Sequence, residues 1–272
     1  MIRLAIRVRR AEADVALAEL LTLAPGGVEE TDVGDRVEYA IYGAPGELPA
    51  LPEVEAVVGG ALVEVVTTTV DDDWADRWRA FHQPVVVAER LHLRPPWAPA
   101  REDLIEVVID PGQAFGTGAH ATTRLCLELL LELEPKGALM DLGCGSGVLA
   151  VAAAKLGFDP VHAIDHDRES IKATRTNARA NGTTVQAARF DLLRDGPAPS
   201  APTTLANLLG PLLLNAARTG FATPTPRALV ASGLLTTEAD EVARAFEERH
   251  GFEEEARKET DTWAALLLRR PG

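Results

Sequence analysis

Residues 140–150 read MDLGCGSGVLA, and the fold turns on how the three glycines in this stretch are spaced. Apolar Ala138–Leu142 predicts a strand and Gly147–Leu156 a helix, so Gly143, Gly145 and Gly147 stand at a strand-to-helix turn. Glycine there lets the backbone turn sharply and lets a ligand approach it closely. A dinucleotide-binding turn has its third glycine three residues after the second, whereas position 148 here is Val and the glycine falls one residue early. Asp141, two residues before the first glycine, is a second departure: its carboxylate would repel a pyrophosphate and attract an ammonium or sulfonium.

Downstream, the periodicity predicts strand Val161–Asp165, helix Arg168–Ala180, strand Val185–Asp191 and a short strand Leu205–Leu208. Helix Pro211–Thr219, strand Ala228–Ser232, helix Thr237–His250 and a hairpin of Phe252–Lys258 with Trp263–Leu268 follow. Alternating strands and helices imply crossover connections, hence a mostly parallel, Rossmann-like α/β sheet. Its predicted antiparallel last strand separates the methyltransferase version of this architecture from the dehydrogenase version.

Upstream, Leu104–Ile109 reads as a strand leading to AFGTGAHATTRLC (Ala114–Cys126), with a helix predicted over Ala119–Leu133. No Lys completes a phosphate loop there, and the stretch is not a nucleophile elbow. Its glycines instead suit a segment crossing the mouth of a pocket. Before it, a short strand from Val85 runs into the proline-rich turn RPPWAP (Arg94–Pro99). DDDWADRWRAFHQP (Asp71–Pro84) reads as a connecting helix, with Trp74, Trp78 and Phe81 at helical spacing as packing residues.

The first seventy residues give strand Ile2–Arg9, helix Glu12–Leu23, strands Gly27–Val33 and Arg36–Tyr42 about a Gly34-Asp35 turn, helix Leu51–Val58 and strand Leu62–Val70. This β-α-β-β-α-β order predicts a small ferredoxin-like α+β domain. The expected organisation is therefore residues 1–70 for that domain, 71–98 for a linker helix and strand, and 99–272 for the catalytic domain.

The chain has 272 residues and a formal net charge of -14, which opposes binding to a phosphate backbone and suits a basic or amine-bearing partner. It has no apolar tract long enough to span a bilayer and no secretory signal pattern at Met1–Arg10, so a soluble, cytoplasmic protein that binds neither membrane nor nucleic acid is expected. Two cysteines, Cys126 and Cys144, are too few for a disulfide framework or a Cys-rich metal site, and no metal is expected. Nothing demands a dimer, and a monomer is the expected state.

Beyond the turn, Asp165 ends the second strand where it can accept hydrogen bonds from ribose hydroxyls, and Asp191 ends ARFD where it can reach an adenine edge. With Asp141, Gly143 and Gly145 they form the predicted nucleoside site, and D-x-G-x-G-x-G resembles the first motif of S-adenosylmethionine-dependent methyltransferases. His120 reads as a capping or solvent-facing residue at a helix start rather than a base.

AFGTGAHATTRLC ahead of DLGCGSG, ANLLGPL (Ala206–Leu212), the linker WADRWRAF and SGLL (Ser232–Leu235) together resemble the PrmA family, methyltransferases of large-subunit ribosomal protein 11. The resemblance covers nearly the whole chain. It implies methyl transfer from S-adenosylmethionine, leaving S-adenosylhomocysteine, to lysine side chains and an N-terminal α-amine of that protein. It further implies that the first domain grips the protein substrate and the second holds the cofactor. Matching motifs carry cofactor contacts to Thr123, Gly143, Asp165 and Asn207, and place Phe115, Gly116 and Thr117 beside the transferred methyl. Three departures stand out: no acid occurs in PSAPTTLAN (Pro199–Asn207), His166 and Arg168 stand where the family tends to Ile and Pro, and Gly210 stands where it favours Ala.

Methyl transfer is an in-line displacement at a carbon already activated by sulfonium, so alignment of an amine lone pair and exclusion of water are the main requirements. A lysine of pKa about 10.4 is only about 0.1% neutral near pH 7.4, a handicap of about 4 kcal/mol. Placing the ammonium beside a fixed sulfonium in a dry site lowers its pKa and removes part of that handicap. Phe115, Thr117 and Asn207 are the candidate catalytic residues, with Asn207 able to accept from the amine or the cofactor and Leu208, Leu209 and Pro211 walling the site. Base- and glutamine-modifying enzymes stack a planar substrate on an aromatic residue after this Asn; Leu208 and Leu209 fit a flexible aliphatic amine instead. Two alternatives are a small-molecule or RNA methyltransferase on the same scaffold and a non-catalytic S-adenosylmethionine-binding module.

Overall fold

The computed structural model describes residues 2–13, 16–17, 20, 28–43, 64–69, 82–110, 118–135, 137–222 and 224–271. It divides into two compact units, Met1–His82 and Gln83–Gly272. The sequence-predicted helices at 51–58 and 71–84, and with them Trp74, Trp78 and Phe81, lie outside the described residues apart from the last three positions, His82 to Pro84.

In the first unit, β1 (Ile2–Arg9), β2 (Glu29–Val33), β3 (Arg36–Gly43) and β4 (Glu64–Thr69) form one sheet in the order β2-β3-β1-β4, with every neighbour antiparallel. Alternation in β1 sends Leu4, Ile6 and Val8 to one face, where they pack with Val37, Tyr39 and Ile41 and with helical Ala13, Ala16, Leu17 and Leu20. On the other face Arg7 and Glu38, directly opposite in the β1–β3 register, pair at 2.6 Å.

The second unit opens with a three-stranded sheet absent from the sequence expectation. β5 (Val85–Val87) and β6 (Leu91–Arg94) form a hairpin, and β7 (Ile105–Val108) runs parallel to β6. The hairpin turns through Ala88 and Glu89, both at positive φ (48° and 52°), closed by the Arg90 N–H donating to the Val87 carbonyl at 3.0 Å. RPPWAP follows β6 rather than β5.

The main sheet comprises β8 (Leu139–Leu142), β9 (Val161–Asp165), β10 (Val185–Arg189), β11 (Thr203–Asn207), β12 (Ala228–Leu235), β13 (Glu253–Glu259) and β14 (Trp263–Arg269). Its order is β10-β9-β8-β11-β12-β14-β13; the first five strands are parallel, and β14 is antiparallel to both its neighbours. Because β14 is interior, Trp263 to Leu268 are all buried, which explains the unbroken apolar run WAALLL where an edge strand would alternate.

Helices α1 (Ala121–Leu131), α2 (Val148–Leu156), α3 (Arg168–Ala180), α4 (Gly210–Thr219) and α5 (Ala239–His250) cover the sheet. Leu213, Ala216 and Ala217 of α4 and Val242 and Phe246 of α5 pack with Met140, Leu142, Ala206, Leu229, Ala231 and Leu266 of the sheet. The bounds differ from expectation mainly at ends. β10 stops at Arg189, two residues before Asp191, and β12 extends to Leu235 through a bulge between Ser232 and Leu234.

Candidate active site at the carboxyl ends of the parallel strands

The order β9-β8-β11 places the ends of β8, β9 and β11 side by side at the topological switch point, where such sheets bind ligands. Gly143, Gly145 and Gly147 adopt φ of 75°, 51° and 84°, the left-handed region that favours glycine. The N–H groups of Gly143 and Cys144 donate to the Ile164 carbonyl at 2.8 and 2.9 Å, which ties the turn to the end of β9. A side-chain carbon on Gly143 would come within 2.4 Å of Leu208 Cδ2, and one on Gly147 within 2.9 Å of the Thr174 Cα.

Asp165 is held firmly. Its Oδ2 accepts from the Gly145 N–H at 3.0 Å and its Oδ1 from the Asp167 N–H at 2.9 Å. A carboxylate has about four lone-pair sites, so these bonds orient it and leave capacity for hydroxyl donors. Asp191 lies two residues beyond β10 and holds the next turn: its Oδ1 accepts from the Leu193 N–H at 3.0 Å, and its Oδ2 lies 3.6 Å from Arg194 Nε.

The second predicted group also converges. Thr123, fully buried in α1, and Asn207, ending β11, approach at 3.4 Å between Oγ1 and Nδ2 although 84 residues apart in sequence. β11 and α1 are fixed to β12 nearby: the Ser232 carbonyl accepts from the Leu208 N–H at 2.9 Å, and the Ser232 hydroxyl donates to the Thr122 carbonyl at 2.9 Å. His120 is the N-cap of α1, its ring nitrogen 2.8 Å from Thr122 Oγ1, and its ring packs edge-on to Trp263 with centroids 5.0 Å apart. Phe115, Gly116 and Thr117 lie outside the described residues; at the adjoining Gly118 a side-chain carbon would come within 2.6 Å of Leu93 Cδ1.

Asp141 sits beneath the turn with no exposure, and among the described residues neither carboxylate oxygen has a hydrogen-bond partner. Burial raises its pKa to about 7, the nearby Asp165 charge adds to the rise, and the Ala150 N–H in the first turn of α2 pulls the other way without reaching hydrogen-bond geometry. The neighbouring Cys126 and Cys144 thiols are pushed up by burial and then by the Asp141 charge, so neither is a thiolate nucleophile.

Sequence reasoning missed the polar stripe behind the turn. Thr174 Oγ1 donates to the Gly145 carbonyl at 3.0 Å, and Asn177 Nδ2 donates to the Ser146 carbonyl at 2.8 Å. Asn181 Nδ2 donates to the Val108 carbonyl at 2.6 Å and its Oδ1 accepts from the Val108 N–H at 2.8 Å. The signal was present: Ser170, Thr174, Asn177 and Asn181 recur at intervals of four, three and four, a polar row on the buried face of a helix. A separate groove of about 460 Å³ beside α3 and β10 is lined by cations including Arg168, Lys172, Arg175 and Arg189. It holds none of the predicted residues and suits an anion rather than a sulfonium.

Among the described residues no group of His, Cys, Asp or Glu could hold a metal ion, and no helix is long and apolar enough to cross a membrane. A doubly wound sheet with its last strand reversed, a glycine turn after the first strand and an acid at the end of the second defines a Rossmann-like methyltransferase. Known sequences narrow the class further. The family described as "Ribosomal protein L11 methyltransferase (PrmA)" matches residues 51–271. A ribosomal protein L11 methyltransferase of Yersinia pseudotuberculosis is 37% identical over 83% of this chain and 79% of that protein. One of Caldanaerobacter subterraneus is 33% identical over 89% of this chain and 77% of that protein. A crystal structure of ribosomal protein L11 methylase from Lactobacillus delbrueckii subsp. bulgaricus, 27% identical, covers 70% of this chain and all of its own with a TM-score of 0.61. The chain belongs to the ribosomal protein L11 methyltransferase (PrmA) family.

Proposed function

We propose that this protein transfers methyl groups from S-adenosylmethionine to amines of ribosomal protein L11, both lysine side chains and the N-terminal α-amine, in the cytoplasm. The observation that carries the reading is the Asp165 carboxylate, fixed by the Gly145 and Asp167 N–H groups at the switch point with acceptor capacity to spare. Buried Asp141, without a hydrogen-bond partner among the described residues, supports a cationic ligand, since a positive charge nearby would offset the cost of its ionisation.

On this reading Gly143, Gly145, Asp165, Asp191, Thr123 and Asn207 hold the cofactor, which supplies an electrophilic methyl group when bound. Asn207 offers its side-chain oxygen to the incoming amine, while Leu208 and Leu209 provide an apolar wall that excludes water. Phe115 and Thr117 line the mouth. Residues 1–70 serve as a ferredoxin-like substrate-recognition domain, residues 71–98 as the linker, and residues 99–272 as the catalytic domain. Incubating the full chain with isotopically labelled S-adenosylmethionine and purified L11 tests the proposal; mass spectrometry should find methylated lysines and a methylated N-terminus. Label on no L11 amine would overturn it.

A further inference from the structure

We infer that Thr174 and Asn177 of α3 are positioning residues that set the cofactor turn from behind, and that Asn177 couples this turn to the end of β7. The inference rests on the cofactor reading above and extends it to residues that do not themselves contact the ligand.

The turn takes three left-handed glycines within five residues, a conformation its own sequence permits but does not impose. The end of β9 holds its N–H groups, and the bonds to its carbonyls come from one turn of α3. Thr174 is fully buried, and its single hydroxyl hydrogen is claimed by the Gly145 carbonyl at 3.0 Å. Cys144 Sγ lies 3.2 Å from the same hydroxyl, as a second acceptor within its reach. Three residues on, the Asn177 amide is 2% exposed, and its Nδ2 donates to the Ser146 carbonyl at 2.8 Å. Its Oδ1 accepts from the Asp110 N–H at 3.0 Å. Only one orientation of the amide satisfies both neighbours, because one presents a carbonyl and the other an N–H. Gly147 completes the brace, since its closeness to the Thr174 backbone leaves no room for a side chain.

One buried amide therefore joins the turn to Asp110, the last described residue before 111–117. Asn181 provides an internal comparison: it bonds both backbone groups of Val108 in β7 and the Asn177 carbonyl, yet makes no bond to the turn. A merely structural role for this stripe would make Asn177 and Asn181 equivalent, whereas a positioning role separates them.

The test is calorimetric titration of the full chain with S-adenosylhomocysteine, alongside the melting temperature of each variant. Asn177→Leu should weaken binding by about tenfold or more, as expected when buried partners are left unsatisfied. Asn181→Leu should lower the melting temperature comparably while holding affinity within about twofold of the parent. Thr174→Val should bind several-fold more weakly, and Thr174→Ser, which keeps the hydroxyl, should restore parental affinity. Equal affinity losses for Asn177→Leu and Asn181→Leu, or parental affinity in Thr174→Val, would overturn the inference. Should Asn177→Leu fail to fold, the Thr174 pair decides the matter. A parent chain that binds no S-adenosylhomocysteine would overturn the cofactor reading and this inference together, whereas a parent that binds with indiscriminate losses overturns this inference alone.

Discussion

The Asp165 carboxylate accepts the Gly145 N–H at 3.0 Å, so the acid ending β9 and the glycine turn ending β8 form one hydrogen-bonded unit. The residue proposed to contact the cofactor is thus also a structural support of the turn. Asp165→Asn keeps one acceptor oxygen but sets its amide nitrogen against one of the two backbone donors. Cofactor affinity should fall by about 10- to 100-fold, the range for leaving buried donors unsatisfied, with a lower melting temperature. Calorimetry showing parental affinity would refute the role.

Asp141 predicts a pH dependence. Its folded pKa, about 7, lies above the ordinary value near 3.9, so the folded state holds its proton more tightly than the unfolded chain does. Its contribution is fully favourable below about pH 4, declines as pH rises toward 7, and levels off above, a loss on the order of 4 kcal/mol. Asp141→Asn cannot ionise, so its melting temperature relative to the parent should climb between pH 5 and 8 in the ligand-free protein. An offset constant across that range would contradict the prediction.

Gly147→Ala should be severe, because the residue sits at φ 84° and its new carbon would meet the Thr174 backbone at 2.9 Å. A loss of about 2–3 kcal/mol in urea unfolding is expected from strain and displacement together. Gly210→Ala should be milder: the atoms nearest the new carbon belong to the Glu238 carboxylate, the far end of a flexible side chain. A cost under about 1 kcal/mol is expected there.

Phe115→Ala should reduce turnover on L11 while leaving S-adenosylhomocysteine affinity within about threefold, as for an interaction made only with the reacting groups. Asn207→Leu should reduce both, because it also removes the 3.4 Å approach to Thr123. Steady-state kinetics paired with calorimetry separates the two cases.

Much of this was legible because glycine and apolar runs carry backbone information directly. Gly143, Gly145 and Gly147 all adopt the left-handed φ that glycine accommodates most readily, and the unbroken apolar run at Trp263–Leu268 signals a strand buried on both faces. The β5–β6 hairpin was not legible, because Ala88 and Glu89 carry a turn that Gly or Asn would have announced. Asp191 was placed on a strand because ARFD continues its pattern, but its side chain caps the following turn instead. Thr174 and Asn177 escaped notice because polar residues on a charged helix read as solvent-facing; their spacing marks one face, and the partners at Gly145, Ser146 and Asp110 show that face to be buried.

The placement of β14 between β12 and β13 has a consequence for biosynthesis. The sheet of the first unit is closed by β4 at Thr69, so every strand it needs has been translated early. The seven-stranded sheet cannot close until Trp263–Arg269 has been translated, because among the described residues β13 has no other strand to lie against and β12 keeps a bare edge until then. During synthesis the first unit can therefore mature while the larger one still waits for its last interior strand, and a chain interrupted before Trp263 would present an unpaired β12 to its surroundings.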